Sequence, residues 1–134
     1  MRAILAHADV YTARDHEDPR LRGRTYAIPF EDVWHAAMLL VSGGQRGWRL
    51  VSADDDSGLL RAQARRSFPE AVDDVAILIT LDANAQTRVD AAAGSYEGLR
   101  AVRRNTKRLE RFFRSLDQDV KRAAERRRRS GLLS

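Results

Sequence analysis

The sequence predicts an α+β domain of order β-α-β-β-β-β-α, a curved antiparallel sheet with two helices on one face. Three observations predict it. Residues 48–93 hold four consecutive segments of two-residue apolar periodicity separated by turn chemistry, which reads as a meander. Residues 30–41 and 102–120 carry apolar residues at helical spacing instead. Each helix then has one stripe to bury, and a single sheet face is the surface open to both.

Residues 1–24 are polar and charged without a sustained period, and Arg14-Asp15-His16-Glu17-Asp18-Pro19 reads as part of an irregular N-terminal arm. Thr25–Ile28 is a short strand that stops at Pro29. Pro29 opens the first helix, where its missing N–H had no partner to lose. Glu31 and Asp32 follow at the positive end of the helix dipole. Phe30, Val33, Trp34, Ala37, Met38, Leu40 and Val41 fall on one face of this helix, with His35 and Leu39 off it. Gly43-Gly44 ends it.

Trp48–Ala53 alternates as a strand, and Asp54-Asp55-Asp56-Ser57-Gly58 is turn chemistry. Leu60, Ala62 and Ala64 alternate with Arg61, Gln63 and Arg65, and Ser67–Ala71 interrupts the pattern. Val75, Ile77, Ile79 and Leu81 share one face of the next strand. Its other face, Ala76, Leu78 and Thr80, is also mostly apolar, which predicts a central strand or one covered on both sides. After the turn at Asp82–Ala85, the last strand points Thr87, Val89, Ala91 and Ala93 inward and Gln86, Arg88 and Asp90 outward. The final helix begins between Leu99 and Asn105. Val102, Leu109, Phe112, Phe113, Leu116 and Val120 fall within an arc of about 100°. Past Val120 the apolar residues stop, and the helix is predicted to project beyond the body and fray. The expected division is therefore an arm at 1–24, one domain at 25–120 and a basic C-terminal extension at 121–134. The element order matches TATA-binding-protein-like and helix-grip folds, in which a curved sheet wraps a long C-terminal helix; fold analogy implies no function.

A chain of 134 residues with 43% apolar content suits one domain with a proper core. No stretch approaches the ~20 apolar residues that span a bilayer, and the apolar run near Met1 is too short for a secretory signal core. The expected location is the cytoplasm. The chain has no cysteine, which excludes disulfides, zinc–thiolate sites and thiol nucleophiles. The net charge of +5 is unevenly placed. Residues 1–99 hold 11 Lys+Arg and 15 Asp+Glu, whereas residues 100–134 hold 13 and 4.

Three segments carry a resemblance. They are Gly47-Trp48-Arg49-Leu50-Val51 running into the aspartate turn, Val72-Asp73-Asp74-Val75, and Ser95-x-x-Gly98 followed by Asn105-x-x-Arg108-Leu109 and Phe112. Together, over residues 25–118, they resemble domain-of-unknown-function family 1499, a mostly bacterial family without established activity. The family's usual Arg, Asp and second Gly in the last segment are replaced here by Tyr96, Ala101 and Arg103. The resemblance implies a fold and lends no chemistry.

Asp54-Asp55-Asp56 lacks the Gly and Glu of a calcium loop, since Leu59 and Arg65 stand in their places; it reads as a solvated turn and no metal is expected. Asp73 and Asp74 are paired carboxylates that an enzyme would use for acid–base work, but the simpler reading is an ion pair from one of them to Arg108. His7, His16 and His35 share no ligand spacing, no serine stands in a nucleophile elbow, and the Gly43–Gly47 run follows a helix rather than opening one. No catalytic set and no cofactor are therefore expected. The densest signal is the last helix. Arg104, Lys107, Arg111, Arg114, Lys121, Arg122, Arg126, Arg127, Arg128 and Arg129 are candidate contacts for a polyanion, either nucleic acid or an anionic membrane surface. The small residues Ala91, Ala92, Ala93 and Gly94 leave room under the sheet for a small apolar ligand unless Phe112, Phe113, Trp34 and Trp48 fill it. The sequence thus favours a non-enzymatic binding or interaction domain, with polyanion binding and Asp73/Asp74 catalysis as the alternatives.

Overall fold

The computed structural model describes residues 4–67, 70–95 and 99–133. The turn residues Phe68 and Pro69, and Tyr96 and Gly98 of the family-like segment, lie outside the described residues. Eight main elements follow in chain order: β1 (Val10–Tyr11), β2 (Arg24–Tyr26), α1 (Phe30–Leu39), β3 (Trp48–Asp54), β4 (Leu59–Ser67), β5 (Glu70–Leu81), β6 (Thr87–Gly94) and α2 (Leu99–Leu133). The six strands form one open antiparallel sheet in the order β1-β6-β5-β4-β3, and β2 also pairs with β6. β1 and β2 thus lie along the same edge, against Ala92–Ala93 and Thr87–Val89 of β6 respectively.

Both helices bury their stripes on one face of this sheet. Val33, Ala37 and Val41 of the α1 region and Leu109, Phe112, Phe113 and Leu116 of α2 are all 0% exposed. They share a cluster with Leu60 and Ala62 of β4, Val75, Ile77 and Ile79 of β5, and Val89, Ala91 and Ala93 of β6. Alternation in the strands and 3.6-residue spacing in the helices place these residues together. His35 and Leu39 are exposed, as their position on the helix requires. α1 ends in one wider turn over Leu40–Gly44, where the Gln45 N–H donates to the Leu40 carbonyl at 2.8 Å.

Three expectations are corrected. Residues 4–23 are not a detached arm. Leu5 packs on Ala76 and Ala92, covering the sheet face opposite the helices. This is why β5 is apolar on both sides. Close contact is possible because Gly94 has no side chain: a Cβ there would collide with the His7 carbonyl oxygen. Arg88 and Asp90, predicted to face outward, are buried beneath the same segment at 7% and 8% exposure. They pair at 2.8 Å, Thr12 donates to Asp90 at 2.8 Å, and Arg88 donates to the Arg22 carbonyl at 2.7 Å. Finally, α2 does not fray after Val120. It stays helical to Leu133, and Arg127 returns to the body through Asp32 at 2.7 Å and 3.0 Å. Arg127 lies seven residues past Val120, two helical turns along the docked stripe, so its side chain faces α1.

Candidate functional site

The sheet end near Asp73 is joined to α2 by a buried polar cluster. Asp73 opens the helix-facing side of β5 and is 1% exposed. Arg104 and Arg108 lie four residues apart, one turn of α2, and both point at it. Arg104 Nε donates to Oδ2 at 2.8 Å and its Nη2 to Oδ1 at 3.1 Å. Arg108 Nη1 donates to Oδ2 at 2.5 Å and also to Asn105 Oδ1. Arg104 Nη2 further reaches the Ser95 hydroxyl at 3.4 Å. Asn105 is fully buried, and its Nδ2 has no hydrogen-bond partner among the described residues. Asp74 points to the opposite face, where it meets His7 Nε2 at 2.8 Å. Of the two candidate carboxylates, the structure therefore brings Asp73 to Arg108 and leaves Asp74 apart.

Burial pushes the Asp73 carboxyl upward, but the hydrogen bonds and charges of Arg104 and Arg108 outweigh it and hold the group below its ordinary value. A general base works best with a pKa near the operating pH. A carboxylate locked between two guanidiniums is unsuited to that task and well suited to anchoring a helix.

The same cluster borders a cleft of about 420 Å³. The connection from α1 to β3 contributes Arg46, Gly47 and Trp48, β4 contributes Arg65, and α2 contributes Arg108 and Arg111. Gly47 adopts φ +81°, a conformation that side chains disfavour, and its carbonyl accepts the Arg65 N–H at 2.9 Å. Trp48 stacks on Phe112 with ring centroids 5.4 Å apart and planes 7° from parallel. Sequence reasoning passed over this cleft because Arg46, Arg65 and Arg111 lie on three different elements.

The candidate polyanion contacts divide into two groups. Arg104 is engaged with Asp73 and Arg127 with Asp32, so neither is a free surface cation. Lys107, Arg111, Arg114, Lys121, Arg122, Arg126, Arg128 and Arg129 are exposed on α2. Arg114 and Arg122 have neighbouring carboxylates on the helix, Glu110 and Asp119, each at 3.4 Å. Lys107, Arg111, Lys121, Arg126, Arg128 and Arg129 have no carboxylate within salt-bridge distance among the described residues. At 1.5 Å per residue the span from Lys107 to Arg129 is about 33 Å.

Two other candidates lie on the aspartate turn and beneath the small-residue strand. The Asp54, Asp55 and Asp56 carboxylates come within 4.8 Å of one another on an exposed turn, where Asp54 Oδ1 accepts the Asp56 N–H at 3.1 Å. Ala91 and Ala93 share one buried cluster with Trp48, Phe112 and Phe113, and Phe112 meets Phe113 edge-on at 5.4 Å. Trp34 stacks instead on Phe30 at the rim. Trp48, Phe112 and Phe113 thus pack in the same cluster as the small residues of β6.

Compared with protein-family models, with curated proteins and with solved structures, the chain matches none.

Proposed function

We propose that the protein is a non-enzymatic binding domain for nucleic-acid backbone, with the solvent face of α2 as its contact surface. The observation that carries this reading is the row of exposed cations from Lys107 to Arg129, most of them without a carboxylate partner. A row of this kind concentrates positive potential along one edge of the molecule and attracts regularly spaced phosphates. Phe112 and Phe113 are fully buried, so they offer no stacking platform, and binding should be insensitive to sequence. A membrane is the less suited polyanion. An interfacial helix needs a free apolar face, and that of α2 is occupied by the sheet as far as Val120.

The test is fluorescence anisotropy with a labelled mixed-sequence duplex over a range of KCl concentrations. Log K should fall linearly with log salt. The full-length triple variant Arg126→Gln/Arg128→Gln/Arg129→Gln should bind more weakly, with a slope shallower by about 2.7, or 0.9 for each lost phosphate contact. Unchanged affinity and slope in that variant and in Lys107→Gln/Arg114→Gln would place binding elsewhere. Binding to anionic vesicles without binding to duplex would reject nucleic acid as the partner.

A further inference from the structure

The arginine cleft between the α1–β3 connection and α2 has the charge and rigidity of a small-anion site. Every ionisable residue that lines it is an arginine. Two of the arginines around it hold carboxylates, Arg108 sharing Asp73 with Arg104 and Arg65 pairing with Glu70 at 2.6 Å. Arg46 and Arg111 have no carboxylate within salt-bridge distance among the described residues. Arg65 and Arg108 are thus balanced, and the positive charge of Arg46 and Arg111 is in excess at the cleft.

The walls are also held in place before any ligand arrives. Arg108 is fixed from behind by Asp73 and Asn105. Trp48 is fixed by its stack on Phe112, and Gly47 by its hydrogen bond to the Arg65 main chain. Guanidinium groups lining one cleft, Arg46 from the α1–β3 connection and Arg108 and Arg111 from α2, offer several N–H donors, which suit the several oxygens of a phosphate better than the two of a carboxylate. A volume of about 420 Å³ admits a small ligand.

We propose that this cleft binds a phosphate monoester dianion through Arg46, Arg108 and Arg111. A free metabolite and the terminal phosphate of a larger molecule share this chemistry. The site shares Arg111 with the exposed row of α2 but requires none of the cations at Arg126, Arg128 and Arg129, so variants there separate it from the backbone-binding reading.

The experiment uses full-length Trp34→Phe protein, which leaves Trp48 as the sole indole. Methyl phosphate is titrated at low ionic strength and Trp48 fluorescence is followed. In parallel, a 5′-phosphorylated dinucleotide is compared with its 5′-hydroxyl twin. The expected result is a saturable response that weakens as pH falls through about 6, where the monoester loses its second charge. Arg46→Gln and Arg111→Gln should each weaken binding about tenfold, the loss of one charged contact worth a factor of ten in Kd. Both residues are exposed, and circular dichroism would verify that the variants fold. Arg126→Gln/Arg128→Gln/Arg129→Gln should leave this affinity unchanged. Saturable binding of methyl phosphate supports a small-molecule source, and binding of the phosphorylated dinucleotide alone supports a terminal phosphate. The proposal is overturned if neither phosphate probe saturates. It is equally overturned if Arg46→Gln and Arg111→Gln bind as tightly as the parent.

Discussion

Arg108 of α2 and Asp73 of β5 form a buried ion pair across 35 residues of sequence, Nη1 lying 2.5 Å from Oδ2. The pair fixes where α2 crosses the end of the sheet. Arg104 joins from one turn earlier, so a single carboxylate organises two guanidiniums and, through Arg108, one side of the arginine cleft.

Removing the carboxylate should therefore destabilise the protein strongly. Asp73→Asn leaves Arg108 buried without its counter-charge, a change that costs about 3–5 kcal/mol in comparable pairs. Arg108→Met should also destabilise. The double variant should cost less than the sum of the two by about 0.5–3 kcal/mol, since the residues are in direct contact. Urea unfolding followed by tryptophan fluorescence reads all four corners of the cycle. Strictly additive costs would show that the pair is not coupled.

Acid should weaken the fold through the same residue. The folded-state pKa of Asp73 lies below its ordinary value because the hydrogen bonds and charges of Arg104 and Arg108 overcome the opposing effect of burial. The folded protein thus takes up that proton less readily than the unfolded chain. Its stabilising contribution is complete above the unfolded value of about 3.9 and is lost as pH falls through the folded value. Asp18, Asp32 and Asp82, each held low first by a hydrogen bond from an arginine, titrate in the same direction. The urea midpoint should stay level down to about pH 5 and then fall, with the wild-type and Asp73→Asn curves converging in acid. Curves that remain parallel to pH 2 would contradict this assignment.

The N-terminal segment should behave as part of the core. Thr12 Oγ1 donates to Asp90 and accepts the Ala91 N–H at 3.0 Å, both in buried surroundings. Thr12→Val keeps the shape, leaves the buried Ala91 N–H without its acceptor and removes one donor from Asp90, which keeps Arg88, at about 1–3 kcal/mol for the buried group left unsatisfied. Thr12→Ser, which retains the hydroxyl, should be much closer to wild type. Equal midpoints for the valine and serine variants would mean that these hydrogen bonds contribute no net stability.

The layout of layers was legible from residue spacing. Val75, Ile77 and Ile79 had to share a face because strand side chains alternate, and Leu109, Phe112 and Leu116 had to share a stripe because a helix repeats every 3.6 residues. An ion pair between Asp73 or Asp74 and Arg108 was readable as two alternatives. The alternation that groups Val75, Ile77 and Ile79 puts Asp73 on their face, and the docking of α2 on that face and of the N-terminal segment on the other gives Asp73 to Arg108 and Asp74 to His7.

Sequence by itself determined the alternating strands, the two amphipathic helices and the concentration of cations in the last quarter of the chain, all properties of local spacing and composition. Tertiary structure alone decided the fate of charges whose partners lie far away. It buried Arg88 and Asp90 under a segment that has no periodicity to announce its docking, engaged Arg104 and Arg127, and gathered Arg46, Arg65, Arg108 and Arg111 around one cleft. The physical reason is range. Periodicity reports which way a side chain points from its own backbone, whereas burial and electrostatic pairing depend on what other elements bring to that point in space.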